Sequence, residues 1–240
     1  MTHAVTGYPS LEDNWRMLEA MQAAGVDLVE LQMPFSEPIA DGPAFIRANQ
    51  DALDAGLVPD AYFEFMRRAA DTFDFRLLFM GYYNSVFRMG HVEFCRRLHD
   101  AGGDGFIIAD LPPEESAALD REARTLALDP IRLVTPLNSD QRLREIAERA
   151  TGFIYCVARK GVTGRHTDLD AHIREYLQRC RAVTSLPLGI GFGIRSAEDV
   201  RGLCGNADIA IVGTACLEAW ERDPGEGYAA FLRGLVDAAR

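Results

Sequence analysis

The chain has 240 residues, a formal net charge of −11 and a hydrophobic content of 48%. This length fits one large α/β domain, and the hydrophobic content allows a substantial core. The negative charge argues against a general nucleic-acid binder or anionic-membrane binder, since both of these targets attract basic surfaces.

The start of the chain, MTHAVTGYPS, has neither the basic beginning nor the apolar core of a signal peptide, and no apolar run reaches the length of a membrane span. The five cysteines are odd in number, widely scattered and without a C-x-x-C pair. This pattern predicts reduced thiols rather than a disulfide or metal framework. We therefore expect a cytoplasmic protein with no membrane partner.

Eight short apolar runs are predicted to form β-strands. They lie at 3–6, 28–33, 76–80, 105–110, 131–135, 153–158, 187–191 and 208–212. The segments between them carry apolar residues at helical spacing. The first helix is predicted to start with a capping-box-like pair, Ser10 and Asp13, and to end at Gly25. An extra helical stretch, 44–55, precedes a helix at 59–71.

Strands that alternate with helices predict a parallel sheet, and eight repeats predict closure into a (βα)8 TIM barrel. No linker-like segment interrupts the series, so residues 1–240 are expected to form a single TIM-barrel domain. A doubly wound nucleotide-binding sheet is the alternative fold. It would need G-x-G-x-x-G after the first strand, and TGYPS does not supply it.

The second strand, LVELQM, contains a carboxylate among apolar residues. Alternation places Glu30 on the face opposite to Val29 and Leu31, so Glu30 should point into the barrel near its upper mouth. A second acid, Asp41, follows in the tight loop PIADGP. Taken singly, Glu30 could pair with an arginine and Asp41 could accept hydrogen bonds from its own turn. Together, they favour acid–base chemistry by one desolvated acid and one ionised acid.

Three glycine-bearing strand ends come late in the chain: KGVTG at 160–164, GFG at 191–193 and GT at 213–214. Loops after the seventh and eighth strands commonly bind phosphate, because glycine lets backbone N–H groups approach an anion. Any one of these glycines can simply permit a tight turn. Three sets on one rim favour a small phosphorylated substrate.

Other ways to break a bond in such a substrate fit less well. A Schiff-base aldolase needs a lysine in the barrel, and the chain has one lysine, Lys160, beside the phosphate loop. The five histidines show no H-x-H or H-x-x-x-H spacing, so no metal site is predicted. Acid–base chemistry without a cofactor is the remaining expectation.

The motifs VELQMPFSEPIADGP, GYYNSVFRMG and FIYCVARKGVTG resemble those of the tryptophan synthase alpha subunit family. VELQMPFSEPIADGP is similar to that family's signature, which is close to ELGIPFSDPLADGP. The likeness continues through GYYNSVFRMG, ADLPPEES, FIYCVARKGVTG, GFGI and IVGTA in the same order. It implies retro-aldol cleavage of indole-3-glycerol phosphate to indole and glyceraldehyde 3-phosphate. It also implies an alpha2beta2 assembly with a beta subunit that carries pyridoxal phosphate, while this chain itself needs no cofactor.

The resemblance also implies roles for individual residues. Glu30 would be the catalytic acid that protonates the indole ring, and Asp41 would hold the indole N–H. The implied phosphate ligands are Gly164, Gly193, Gly213 and Thr214. The implied indole pocket consists of Tyr155, Phe192, Met80, Ile107 and Ala109, although Met80 and Ile107 fit an ordinary barrel core equally well. Loop 161–170, which contains Thr163, would be a lid.

The chain departs from the family pattern at several positions. Glu37 stands where Asp is usual, Gln32 replaces a glycine, and His3 falls where an aromatic or apolar residue usually walls the indole pocket. Arg159 and Lys160 add two charges beside the phosphate loop. The first strand also begins almost at once, which leaves no room in this sequence for the N-terminal helix that commonly covers the barrel floor. Two explanations stay open: the true start is missing, or the floor is closed another way, for example by self-association.

These departures leave two alternatives to an ordinary alpha subunit. One is a stand-alone lyase that releases free indole without a beta subunit. The other is a non-catalytic barrel that regulates a partner, although the presence of both acids and of all the phosphate glycines argues against it.

Overall fold

The computed structural model describes residues 1–157, 171–191 and 193–240. Within these ranges the strands are β1 (Thr2–Val5), β2 (Leu28–Gln32), β3 (Arg76–Gly81), β4 (Gly105–Ile108), β5 (Asp129–Val134), β6 (Ile154–Val157), β7 (Leu188–Gly191) and β8 (Ile209–Ala210). The helices are α1 (Leu11–Ala24), α2 (Pro43–Asp54), α3 (Pro59–Thr72), α4 (Tyr83–Met89), α5 (His91–Asp100), α6 (Ala117–Thr125), α7 (Asp140–Ala147), α8 (Ala171–Arg181), α9 (Ala197–Leu203), α10 (Thr214–Arg222) and α11 (Glu226–Ala239).

The strands form one parallel sheet in the order β1 to β8. The two ends of the sheet meet, because Thr2 forms a parallel bridge with Val212. The N–H of Val212 also donates to the carbonyl of Met1 at 3.0 Å, and the amino group of Met1 donates to the carbonyl of Ala210 at 2.9 Å. The sheet is therefore closed, and the predicted TIM barrel is confirmed.

All eight predicted strands are present, with small differences at their ends. β4 stops at Ile108, two residues earlier than predicted, and Asp110 instead accepts a hydrogen bond from the N–H of Tyr83 at 2.7 Å. β5 starts at Asp129, two residues earlier than predicted. β8 is confined to Ile209–Ala210, because beyond it the chain turns to bond β1.

Helix α1 shows how local sequence sets these elements. Ser10 caps it by accepting from the N–H of Asp13 at 3.0 Å, and Gly25 ends it with a left-handed φ of 80°. On its buried face, Asn14 accepts from the N–H of Gly7 at 2.6 Å and donates to the carbonyl of Tyr8 at 2.9 Å. This helix therefore fixes the loop that leaves β1.

Two layers of the core position the site. The larger layer lies between the barrel and the helices and contains Val29, Leu31 and Met33 of the second strand region. The second fills the barrel interior and is made of Leu78, Met80, Ile107, Ile131, Phe153 and Ile211. The predicted alternation along β2 is confirmed, and it turns Glu30 toward the interior.

One ion pair is buried in the outer layer. Arg132 of β5 bonds the carboxylate of Asp120 on α6, and both residues are less than 5% exposed. Ser116 donates a second hydrogen bond to Asp120 at 2.7 Å. Burial lowers the pKa of the Arg132 guanidinium, although the carboxylate of Asp120 opposes this effect. This pair joins α6 to the barrel wall.

Within the described part of the chain, no helix combines the length and the apolar character that a membrane span requires.

Candidate active site

A cavity of about 350 Å³ opens at the carboxyl ends of the strands. Every predicted site residue that the structure describes lines it: Glu30, Asp41, Met80, Ile107, Ala109, Tyr155, Gly193, Gly213 and Thr214. The other predicted site residues, Thr163, Gly164 and Phe192, lie outside the described residues, as do Arg159, Lys160 and the predicted lid at 161–170. The structure thus brings the predicted residues to one place, while their individual roles remain predictions.

Glu30 lies on β2 and is only 1% exposed. Its Oε2 lies 3.0 Å from Nδ1 of His3, the residue directly beside it on β1. Among the described residues, the basic group that pairs with Glu30 is this imidazole rather than an arginine. A carboxyl group beside an imidazole can exchange a proton near neutral pH, as acid–base chemistry requires.

Asp41 sits in the loop between β2 and α2 and is held over the cavity by the surrounding structure. The N–H of Ala40 donates to the hydroxyl of Tyr82 at 3.1 Å, and the N–H of Phe35 donates to Asn49 at 3.0 Å. The rings of Phe35 and Tyr82 also stack with centroids 5.2 Å apart. Burial raises the pKa of Tyr82, and the negative charge of Asp41 adds to this effect.

A continuous hydrogen-bonded chain joins the two acids. From Glu30 it passes to His3, whose Nε2 lies 2.9 Å from Oε1 of Gln32. The amide nitrogen of Gln32 then donates to Oδ2 of Asp41 at 2.7 Å. Burial lowers the pKa of His3, but the hydrogen bond and the charge of Glu30, together with Asp41 and Gln32, raise it above its ordinary value of 6.5.

The predicted phosphate side of the cavity is the rim above β7 and β8. Gly213 is the N-cap of α10, so the first N–H groups of this nine-residue helix face the cavity mouth. Gly193 has a left-handed φ of 52° and open space around it. Arg195 lines the same rim and pairs with Glu218. Backbone dipoles and this guanidinium make the rim suitable for an anion.

The apolar side of the cavity is built from the interior of the barrel. Tyr155 forms one wall, and Met80 and Ile107 belong to the interior cluster while also lining the cavity. The pKa of Tyr155 is raised well above 10 by burial and by the charges of Glu30 and Asp41, so its hydroxyl stays neutral. An aromatic substrate can therefore lie on an apolar surface between the acids and Tyr155.

Sequence reasoning missed several lining residues. Leu133 of β5, Val157 of β6 and Ile211, directly after β8, continue the alternation that predicts an inward face, so the barrel register was sufficient to find them. Phe45 comes from α2, and its ring lies 4.5 Å from the ring of His3. Arg195 directly follows the GFGI motif, and its position next to the glycine rim was the one sequence feature that indicated a role in the site.

The closed parallel barrel, with two acids lining a cavity at the carboxyl ends of its strands, has the architecture of a TIM-barrel enzyme. The family model described as tryptophan synthase alpha chain matches residues 1–231. The chain belongs to this family.

Relatives and solved structures agree with this assignment. The tryptophan synthase alpha chain of Desulforapulum autotrophicum is 46% identical over 236 residues, which cover 98% of this chain and 93% of that protein. The alpha chain of Syntrophotalea carbinolica is 43% identical, with 98% and 93% covered. A tryptophan synthase structure from Mycobacterium tuberculosis superposes with a TM-score of 0.90 at 30% identity, covering 100% of this chain and 92% of that chain. A tryptophan synthase complex from Pyrococcus furiosus superposes with a TM-score of 0.87 at 25% identity, with 99% and 95% covered.

Proposed function

We propose that this chain is the alpha subunit of a tryptophan synthase and cleaves indole-3-glycerol phosphate to indole and glyceraldehyde 3-phosphate. Family membership supports this carbon–carbon lyase activity directly. The observation that carries it in the structure is the placement of Glu30 and Asp41 in one cavity with the glycine rim of Gly213. The apolar wall fits an indole, and the rim fits a phosphate.

The proposed reaction begins with protonation of the indole carbon that bears the side chain. Glu30 supplies this proton, and the ring becomes an electron sink. Asp41 accepts a hydrogen bond from the indole N–H and stabilises the positive charge that develops there. Charge stabilisation of this kind in a dry site contributes roughly 3–4 kcal/mol.

Cleavage of the carbon–carbon bond then returns its electron pair to the ring and releases indole. The neighbouring hydroxyl group loses its proton and becomes the aldehyde of glyceraldehyde 3-phosphate. The carboxylate of Glu30, having given up one proton, is the base we assign to this step. One proton is delivered and one is recovered, so Glu30 ends as it began.

In our proposal the reaction needs no cofactor on this chain. The protonated ring accepts the electron pair of the breaking carbon–carbon bond, so neither a metal nor a Schiff base is required. Pyridoxal phosphate belongs to the beta subunit, which receives the indole. The loop 33–42, in which Ser36, Glu37 and Ile39 are exposed, is the segment we assign to contact with the lid and with the beta subunit. A cytoplasmic location is part of the proposal, since all five cysteines are free thiols.

The test measures indole release from indole-3-glycerol phosphate by the purified chain, with and without the beta subunit from the same source. Slow release that rises strongly with the beta subunit is the expected result. Fast release that ignores the beta subunit would indicate a stand-alone lyase. No release under either condition would overturn the proposed substrate.

A further inference from the structure

The chain of hydrogen bonds between the two acids has fixed directions. The amide NH2 of Gln32 must face Asp41, because a carboxylate accepts hydrogen bonds and does not donate them. The amide oxygen of Gln32 is then the atom that faces Nε2 of His3. An amide oxygen only accepts, so Nε2 of His3 carries a hydrogen in every protonation state.

The other ring nitrogen of His3 is therefore the one that titrates. Nδ1 lies 3.0 Å from Oε2 of Glu30, and both groups are buried, His3 at 8% exposure and Glu30 at 1%. With one proton between them, the two groups make a hydrogen bond whichever of them holds it. With none, a bare nitrogen lone pair faces a carboxylate and the contact is repulsive. The pair consequently favours the state with one shared proton.

We propose that His3 and Gln32 are positioning residues that keep this proton on the Glu30–His3 pair for the lyase step. Asp41 fixes the other end of the hydrogen-bonded series by accepting from the amide of Gln32. The inference rests on the proposed function for its catalytic part. When the proton lies on Glu30, the pair is ready to protonate the substrate carbon. When the substrate hydroxyl returns a proton, the pair recovers its starting state.

The surroundings of His3 support this assignment. Among the described residues, the charged groups that act on His3 are the carboxylates of Glu30 and Asp41. Tyr155 lines the same cavity and its phenol stays neutral, and the amino group of Met1, whose pKa is lowered by burial, lies close enough to Glu30 to feel its charge. The ring of His3 also packs on Phe45, which holds it in place. Two carboxylates thus outweigh burial, and the pKa of His3 is raised.

The first arm of the test needs no activity. Imidazole ¹⁵N NMR of the purified chain identifies His3 by the loss of its signals in His3→Phe. We expect the neutral ring to carry its hydrogen on Nε2, and the pKa of His3 to fall in Glu30→Gln and in Asp41→Asn. A neutral ring with its hydrogen on Nδ1, or a pKa that neither substitution moves in the folded protein, would overturn the proposal without any measurement of activity.

The second arm uses indole release. His3→Phe keeps an aromatic ring against Phe45 but removes the titrating nitrogen, so kcat should fall by roughly a hundredfold while KM stays within about threefold. The alkaline limb of the kcat profile should coincide with the titration of His3 in the wild type. In His3→Phe the alkaline limb should no longer follow that titration, because the group that sets it has been removed.

Two further variants separate positioning from packing. Gln32→Met keeps the length of the side chain but removes both hydrogen bonds, so it should lower kcat in the same direction by a smaller factor. His91→Phe removes a histidine whose Nε2 lies 3.0 Å from the Tyr83 hydroxyl, away from the cavity, and should leave kcat and its pH profile unchanged. If His3→Phe had the same kcat as the wild type and the same alkaline limb in its kcat–pH profile, the role of His3 would be refuted. Absence of lyase activity in the wild type would instead refute the proposed function and leave the NMR arm to decide on the hydrogen-bonded chain.

Discussion

Tyr155 of β6 occupies the space that a side chain at Gly191 of β7 would need. A Cβ atom placed on Gly191 would lie 2.8 Å from both Cε1 and the hydroxyl oxygen of Tyr155. The two residues lie on neighbouring strands, two register positions apart, since Tyr155 pairs with Gly189 and Gly191 pairs with Val157. Gly191 therefore makes room for the cavity wall, a different use of glycine from the anion binding predicted for its neighbours.

Gly191→Ala should displace the ring of Tyr155 into the cavity. Overpacking of this kind costs about 1–3 kcal/mol, so KM for indole-3-glycerol phosphate should rise by roughly tenfold or more. Gly234→Ala is the matched control, because a Cβ at Gly234 in α11 meets nothing within 4 Å. Steady-state kinetics of both variants check this, and an unchanged KM in Gly191→Ala would show that Tyr155 does not contact the substrate.

Glu30→Gln should remove nearly all lyase activity, because an amide cannot supply the proton. Binding of glyceraldehyde 3-phosphate, measured by isothermal titration, should remain within about tenfold, since phosphate binding and proton transfer use different groups. Glu114→Gln, at an exposed carboxylate paired with Arg142, is the control and should keep full activity. Retained turnover in Glu30→Gln would refute the catalytic role of Glu30.

Gly213 permits a test that separates charge from bulk. A Cβ at this position lies 3.4 Å from the Phe45 ring, an ordinary contact, so Gly213→Ala should be tolerated with at most a small loss of affinity. Gly213→Asp brings a negative charge to the same place, and like charges about 4 Å apart repel by about 4 kcal/mol at an effective dielectric of 20. The Kd for glyceraldehyde 3-phosphate should therefore rise at least about a hundredfold in the Asp variant. Similar affinities in the two variants would place the phosphate elsewhere.

The sequence was sufficient to predict the barrel and the place of the acids. Glu30 among apolar neighbours revealed its inward direction, because strand alternation is strict, and the late glycines marked the rim. The partners of Glu30 and Asp41 were not predictable in the same way. The contact of His3 with Glu30 depends on the register of β1 against β2, and the contact of Gln32 with Asp41 depends on how the loop folds back.

His3 and Gln32 were noticed in the sequence only as departures from the family pattern. Taken alone, each departure looks unfavourable for the pocket: His3 puts a polar ring in an apolar wall, and Gln32 adds bulk where the family has a glycine. In the structure they bond each other at 2.9 Å, so the two departures belong together. The pair Arg132–Asp120 was missed for a similar reason, since no sequence pattern fixes how α6 rests on β5.

The buried pair Arg132–Asp120 should show strong coupling in stability. Either single change, Arg132→Met or Asp120→Leu, leaves one buried charge unpaired and should lower the free energy of unfolding by about 3–5 kcal/mol. The double variant removes both charges and should be considerably more stable than the sum of the two losses predicts. Urea unfolding of the four proteins at one pH checks this, and additive losses would show that the two side chains act independently.

The raised pKa of His3 predicts how stability changes with pH. Below about pH 6.5 the ring is protonated in both the folded and the unfolded chain, and its attraction to Glu30 and Asp41 contributes fully to stability. As the pH rises through the folded pKa, which lies above 6.5, the folded chain loses this proton and the contribution disappears.

His3→Phe lacks the titrating group, so the stability advantage of the wild type over this variant should be larger at pH 6 than at pH 9. Urea unfolding of both proteins at the two values measures the difference. A stability advantage that is equal at both pH values, or larger at pH 9, would mean that folding does not favour the protonated ring. An advantage that is larger at pH 6 requires a group that binds its proton more tightly in the folded chain than in the unfolded chain.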